Sequence, residues 1–221
     1  NLICWGPMSS MISLATGNGT ITEETSAEAT AFCAEIAEEG IVLLKNEEQT
    51  LPLAGGNINV FGWASTNPCY GGTGSGSLSD AYDTVSLLAG LEHAGFHTNK
   101  ELSDFYTAYR AERPEVGMWE QDWTLPEPAA DSYGAELLNN AKAFSDTAVV
   151  VITRVGGEGA DLPTDVSQVT YHNNSDAYED FEPGAHFLQL SKTERNMLDL
   201  VCDNFDKVVV VYNGANAMEL G

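Results

Sequence analysis

The sequence predicts an α/β protein, a three-layer αβα sandwich on a mostly parallel sheet. Three observations lead there. The runs Ile58-Asn59-Val60-Phe61-Gly62, Ala148-Val149-Val150-Val151-Ile152 and Val208-Val209-Val210-Val211 are nearly continuously apolar, as strands covered on both faces must be. Stretches with helical periodicity lie between them, so the order is β, α, β, α. Hydrophobic residues make up 43% of the chain, enough to bury a proper core.

Each element follows from local signals. Residues 1–26 have weak periodicity and several Gly, Ser and Thr, and form a lead-in segment to a domain over 27–221. Ser26 offers an N-cap to a helix with Ala29, Phe32, Cys33 and Ile36 on one face, and Gly40 ends it. Ile41-Val42-Leu43-Leu44 is expected to be a short buried stretch, set apart from the strand at 58–62 by Leu51-Pro52-Leu53. A glycine-rich loop, Gly71-Gly72-Thr73-Gly74-Ser75-Gly76-Ser77, then leads into a helix carrying Val85, Leu87, Leu88 and Leu91, closed by Gly95. A second helix is expected from about 101 to 112. Residues 113–132, with Pro114, Pro126, Pro128, Trp119 and Trp123, are expected to be a surface excursion. A helix over 134–144 feeds the strand at 148–152. Residues 154–187 carry few structural signals, and a stretch of that length inside a compact domain is usually functional or mobile. Ser191 caps the next helix, with Met197, Leu198, Val201 and Cys202 inward, and the strand at 208–211 follows.

Composition narrows the function. Nine Lys and Arg against 33 Asp and Glu give a net charge of −24. Phosphate backbones and anionic membranes demand basic residues, so neither is an expected partner. The charge suits neutral or cationic small molecules, or simply solubility. No apolar run approaches the roughly 20 residues of a membrane span. The opening residues lack the basic-then-apolar pattern of a secretory signal, although such a signal could have been removed. Cys4, Cys33, Cys69 and Cys202 are dispersed with no Cys-x-x-Cys pair, which disfavours a zinc or redox site. Cys33 and Cys202 read as ordinary core residues, and a reducing, cytoplasmic setting is the mild preference.

In a parallel sheet the working loops leave the carboxyl ends of the strands. Two loops fit: the glycine-rich loop after 58–62, and Arg154-Val155-Gly156-Gly157-Glu158-Gly159-Ala160-Asp161 after the strand ending at Ile152. Glu158 sits between glycines, which permit unusual backbone angles and leave a carboxylate uncrowded. It is either a mobile acid that reaches a bound substrate or a solvated acid on a plain turn. Asp161 could tune it or cap a turn. The glycine-rich loop is neither G-x-G-x-x-G nor a P-loop, so close packing or a neutral ligand suits it better than a nucleotide. His93, His97, His172 and His186 show no metal-ligand spacing, and no G-x-S-x-G elbow is present. No metal or cofactor is expected. Trp119 and Trp123 could stack on a sugar ring or be partly buried surface aromatics.

Several of these pieces together resemble one family. Ala34-Glu35-Ile36-Ala37-Glu38-Glu39-Gly40-Ile41-Val42-Leu43-Leu44-Lys45-Asn46 with Thr50-Leu51-Pro52-Leu53 resembles the opening of the α/β sandwich domain of family 3 glycoside hydrolases, the β-glucosidase type. The strand at 58–62, the run Gly71-Gly72-Thr73-Gly74-Ser75-Gly76, and Val149-Val150-Val151-Ile152-Thr153-Arg154 with Gly157-Glu158-Gly159-Ala160-Asp161 are similar to that domain in the same order. So is Val208–Val211 with Asn213-Gly214. The resemblance implies a retaining exo-glycosidase acting on β-linked glycosides through two carboxylates. Glu158 takes the position of the general acid/base, with Gly157 and Asp161 beside it as substrate-side residues and Trp119 and Trp123 as further candidates. The nucleophile would be an Asp on a neighbouring TIM-type barrel, a partner that residues 1–26 are too short to hold, since a barrel needs about 250 residues. The resemblance also implies one or two strands beyond Gly221, and it leaves a homo-oligomer open. Burial and the nucleophile's charge would raise the pKa of Glu158 in the closed site. Leu162 stands where many relatives have a basic residue after the aspartate, and 165–187 has no clear counterpart. The competing readings are a non-catalytic carbohydrate-binding or interaction domain and, less favoured, a nucleotide-binding module.

Overall fold

The structure, a computed structural model, describes residues 21–68, 70–71, 74–76, 84–112, 125, 127–159, 161–168, 180–214 and 216–219. The chain divides into two compact units, Asn1–Glu48 and Gln49–Gly221.

In the first unit, helix α1 spans Glu23–Gly40. It starts before Ser26, because the Thr22 hydroxyl accepts the Thr25 amide at 3.1 Å and Glu23 and Glu24 occupy the electropositive first turn. Two expectations fail here. Phe32, Cys33 and Ile36 are exposed, and α1 buries no residue. Ile41, Val42, Leu43 and Leu44 form no strand and are exposed too. Among the described residues of this unit there is no second helix or strand against which α1 could bury its stripe.

The second unit contains β1 (Gly56–Phe61), α2 (Leu87–His93), β2 (Phe96–Thr98), α3 (Lys100–Ala111), α4 (Gly134–Phe144), β3 (Thr147–Thr153), α5 (Lys192–Asn204) and β4 (Lys207–Asn213). The four strands form one parallel sheet in the order β2-β1-β3-β4. Ile58, Val60, Val149 and Val151 point to one face, where Leu87, Leu88 and Leu91 of α2 cover them. Phe61, Ala148, Val150 and Ile152 point to the other, against Leu102 and Tyr106 of α3, Ala141 of α4, and Met197 and Val201 of α5. This is the expected αβα sandwich. All seven residues of β3 are buried, whereas β4 is an edge strand with Val210 47% exposed. Strand β2 was not foreseen, since three residues carrying His97 and Thr98 give no apolar run. Cys202 is exposed, not inward. It follows Val201 by one residue, and the 100° step that buries Val201 turns Cys202 to solvent.

Polar side chains fix the helices to the sheet. Asn59, fully buried in β1, donates through Nδ2 to the carbonyls of Ala141 (3.0 Å) and Ser145 (3.1 Å) and so holds the end of α4. Its Oδ1 accepts from Asn99 Nδ2 at 2.9 Å, and Asn99 in turn caps α3.

Arg154, directly after β3, has a completely buried guanidinium. Its Nη1 and Nη2 each bond one oxygen of Glu194 at 2.7 Å. The remaining donors go to the carbonyls of Thr153, Phe187 and Gln189, at 2.8, 2.6 and 2.7 Å. Glu194 also accepts the Ser191 amide, completing a capping box at the start of α5. One side chain thus ties the exit of β3 to residues 187–194. Beside it, Val166, Phe181 and Phe187 form a small second core with Leu125 and Leu162, so the signal-poor stretch after Arg154 has its own packing.

The 113–132 excursion is not all surface. Glu127 is 4% exposed. Its Oε2 accepts the Trp63 amide at 3.0 Å, just past β1, and its Oε1 accepts the Tyr133 hydroxyl at 2.9 Å. The Tyr133 and Tyr106 hydroxyls share a further hydrogen bond of 2.6 Å. Burial pushes the Glu127 carboxyl up to about 8, with the charges of Glu194 and Asp180 acting the same way. Burial likewise pushes both tyrosine hydroxyls well above their usual range.

Two predictions follow from these buried groups. Between about pH 4.5 and about 8 the folded chain keeps a Glu127 proton that the unfolded chain has released. Raising the pH through that window therefore favours unfolding, by roughly 3–5 kcal/mol in all. Glu127→Gln, which still accepts from Trp63, should flatten this part of a denaturant-stability profile measured against pH. Separately, Arg154→Met strands a buried carboxylate and should cost about 3–5 kcal/mol, lowering Tm by about 10 °C. The double variant Arg154→Met, Glu194→Leu should recover most of that in thermal melts.

Candidate functional site

The chain crosses from β1 to β2 over one face of the sheet, and from β3 to β4 over the other, in opposite directions. Strands β1 and β3 are neighbours, with Asn59, Val60 and Phe61 paired to Ala148, Val149 and Val150. Their carboxyl ends therefore stand at the point where the crossovers reverse, the usual place for a ligand in a doubly wound sheet. Both loops singled out from the sequence leave from this point.

The exit of β1 depends on Gly62. Its φ is +94°, and a side chain there would overlap the carbonyl oxygen of Val151 on β3. Only glycine lets the chain turn so close to the neighbouring strand. A short 3-10 turn, Trp63–Ser65, follows, and Gly74–Gly76 forms another within the glycine-rich loop.

The exit of β3 is held on its far side by β4, through Thr153 Oγ1 to the Asn213 carbonyl at 2.7 Å, and beneath by the Arg154 cluster. From this root the chain reaches Glu158, which is exposed, between half-buried Gly157 and Gly159 at φ +70°. The Glu158 carboxylate reaches the glycine-rich loop. Its Oε2 accepts the Ser75 amide at 3.0 Å and also the Ser75 hydroxyl. Gly74, at φ +69°, lies directly against it: a Cβ there would stand 2.9 Å from Glu158 Cβ and 3.1 Å from Oε2. The Ser75 hydroxyl, and then the Ser75 amide, hold the Glu158 carboxyl below the ordinary carboxylate range, outweighing slight burial. The direction is opposite to that expected of the closed site, because here two donors stabilise the charged form and burial is slight.

Asp161 is exposed, and the donors on Glu158 come from Ser75, not from its neighbourhood. Leu162 packs in the small core with Val166 and Phe187. Gly156 backs onto it, a Cβ there falling 3.4 Å from Leu162 Cδ2. Trp119 and Trp123 lie outside the described residues. His93 and His97 are exposed, and Gly95 ends α2 between them as expected. Among the described residues no group of three His, Cys, Asp or Glu could hold a metal ion, and no helix is long and apolar enough to cross a membrane. The sequence reading missed Ser75 and Glu127. Ser75 could have been found by asking which donors of the glycine-rich loop can reach a carboxylate on the neighbouring strand's exit. Nothing around Glu127 in the sequence distinguishes it from the many surface acids.

Comparison with known proteins agrees with this fold. Residues 41–221 match the glycosyl hydrolase family 3 C-terminal domain. Beta-glucosidase A of Butyrivibrio fibrisolvens is 31% identical over 189 residues, covering 81% of this chain and 22% of that protein. A beta-glucosidase of Ruminococcus albus is 31% identical over 192 residues, covering 85% and 18%. The chain thus spans about a fifth of the length of these curated relatives. Among solved structures, a beta-glucosidase from Paenibacillus barengoltzii superposes with a TM-score of 0.65 at 31% identity, over 83% of this chain and 18% of that one. Beta-glucosidase 3B from Thermotoga neapolitana, in complex with alpha-D-glucose, does so at 0.62 and 26%, over 85% and 24%. With the doubly wound sheet and these matches in agreement, the chain belongs to glycosyl hydrolase family 3, of which it carries the C-terminal domain.

Proposed function

We propose that this chain is part of a retaining, exo-acting β-glycosidase of the β-glucosidase kind, and that it supplies the general acid/base, Glu158. The observation that carries this reading is the exposed carboxylate of Glu158 at the sheet's switch point, on a loop whose root is locked and whose tip is flanked by glycine. A locked root fixes where the acid can reach, and a glycine on either side of the tip lets it move there.

In the first half-reaction Glu158 gives its proton to the leaving glycosidic oxygen while a nucleophile attacks the anomeric carbon. In the second, it takes a proton from the water that releases the sugar. The nucleophile is an aspartate on a TIM-type barrel that acts as this domain's partner, so the chain by itself hydrolyses no glycoside. Gly157 and Asp161 line the approach to Glu158 on the leaving-group side. When the barrel closes over the site, burial and the nucleophile's charge raise the carboxyl's proton affinity and make it an acid.

The test is Glu158→Ala in the full-length enzyme. Turnover of poorly activated glycosides should fall about 10²- to 10⁴-fold, the usual contribution of a general acid. Aryl glucosides with good leaving groups should lose less, and azide should restore their turnover with formation of a glycosyl azide. Unchanged turnover of the poorly activated substrates, without azide rescue, would remove Glu158 from the role.

A further inference from the structure

We propose that Ser75 is the positioning residue of Glu158, holding its carboxyl group by Oε2 so that Oε1 is the oxygen that gives up and takes back the proton. The proposal rests on the acid/base role assigned to Glu158 above, and extends it to a residue on the opposite loop.

Two donors from one residue converge on one oxygen. The Ser75 amide, at 3.0 Å, and the Ser75 hydroxyl both reach Glu158 Oε2, and neither reaches Oε1. A carboxylate oxygen has two lone pairs in its plane, and these two donors occupy both. A proton arriving at Glu158 must then sit on Oε1. The carboxyl group becomes two unlike oxygens, one anchored and one reactive. An acid that must protonate one atom of a substrate, and later take a proton from a water in the same place, needs that distinction.

The loop is shaped for the contact. Gly74 combines a φ of +69° with a Cα surface that lies against Glu158, where a methyl group would stand 2.9 Å from its Cβ and 3.1 Å from Oε2. Any side chain at 74 would push the acid off Ser75. The glycine-rich loop, which fits no phosphate-binding pattern, has a different use here: it offers bare backbone and one serine to a carboxylate from the neighbouring loop. The two loops meet because β1 and β3 pair directly. The same donors stabilise the charged form of Glu158, so Ser75 favours the base needed in the second half-reaction and opposes the acid needed in the first.

The experiment compares Ser75→Ala and Ser75→Thr in the full-length enzyme, and follows the Glu158 side-chain carboxyl by 13C NMR in the 221-residue chain. In Ser75→Ala the Glu158 titration should move to higher pH, and the alkaline limb of kcat/KM should move the same way, because the acid stays protonated further up the scale. At the pH optimum kcat/KM on poorly activated glycosides should fall about tenfold, the usual weight of a hydrogen bond to a charged group. Threonine, which keeps the hydroxyl, should return both profiles towards those of the parent. A Ser75→Ala titration that coincides with the parent's overturns the proposal. So does a drop in kcat/KM with an unmoved pH profile, which a merely structural residue would produce. Failure of the underlying reading looks different: Glu158→Ala would keep full activity while the Ser75→Ala carboxyl titration still shifted, and the proposal would fall with it.

Discussion

The direct pairing of β1 with β3 is the constraint from which the rest of the second unit follows. These strands are consecutive neither in sequence nor in the direction of their crossovers. One connection leaves for α2 on one face, the other for α5 on the opposite face. Their connections part over opposite faces, and at the carboxyl edge the two exits meet through Ser75 and Glu158. Gly62 shows how tight the arrangement is, since only a residue without Cβ can turn over Val151 at that point. Every candidate group of the site that the structure describes stands on one of these two exits.

Such an edge needs anchoring, because irregular backbone there lacks ladder partners. The chain solves this with buried polar side chains. Arg154 satisfies its donors on three carbonyls and a carboxylate. Glu127 accepts the first amide of the turn after β1 and the end of a two-tyrosine chain. Asn59 ties the end of α4 to the sheet. Isolated in the core, each of these groups would be strongly destabilising; fully bonded, they specify where loops begin. The two loop roots are therefore rigid while their tips are glycine-rich, a combination suited to a carboxylate that is aimed yet able to move.

A chain with a net charge of −24 could be expected to crowd its acids and raise their proton affinity in general. Local geometry decides instead. Glu158, exposed and holding two donors, is pulled towards the charged form. Glu127, buried with nearby negative charge, is pushed towards the neutral one. The chemistry of a carboxylate here is set within a few ångströms, and the overall charge bears on solubility and on partners at a distance.

The apolar strands, the cap at Ser191, the glycine stop after α2 and the two candidate loops were legible in the sequence, because each depends on residues adjacent in the chain. Periodicity was enough to find the helices, though not always their outward faces: Cys33 and Cys202 sit in apolar patterns yet are exposed. Whether Ile41-Val42-Leu43-Leu44 is covered depends on what packs against it, which no local pattern contains. Glu127 looks like any surface acid until the fold folds it under Trp63, and Arg154 looks like a surface cation until Glu194, 40 residues later, meets it. The contact of Ser75 with Glu158 spans 83 residues and exists only because β1 and β3 lie side by side. The sequence by itself determined the elements and the acid at the strand's end, since short-range sterics and hydrophobic period encode those. Strand order decided the rest, since it alone brings distant donors to a given carboxylate.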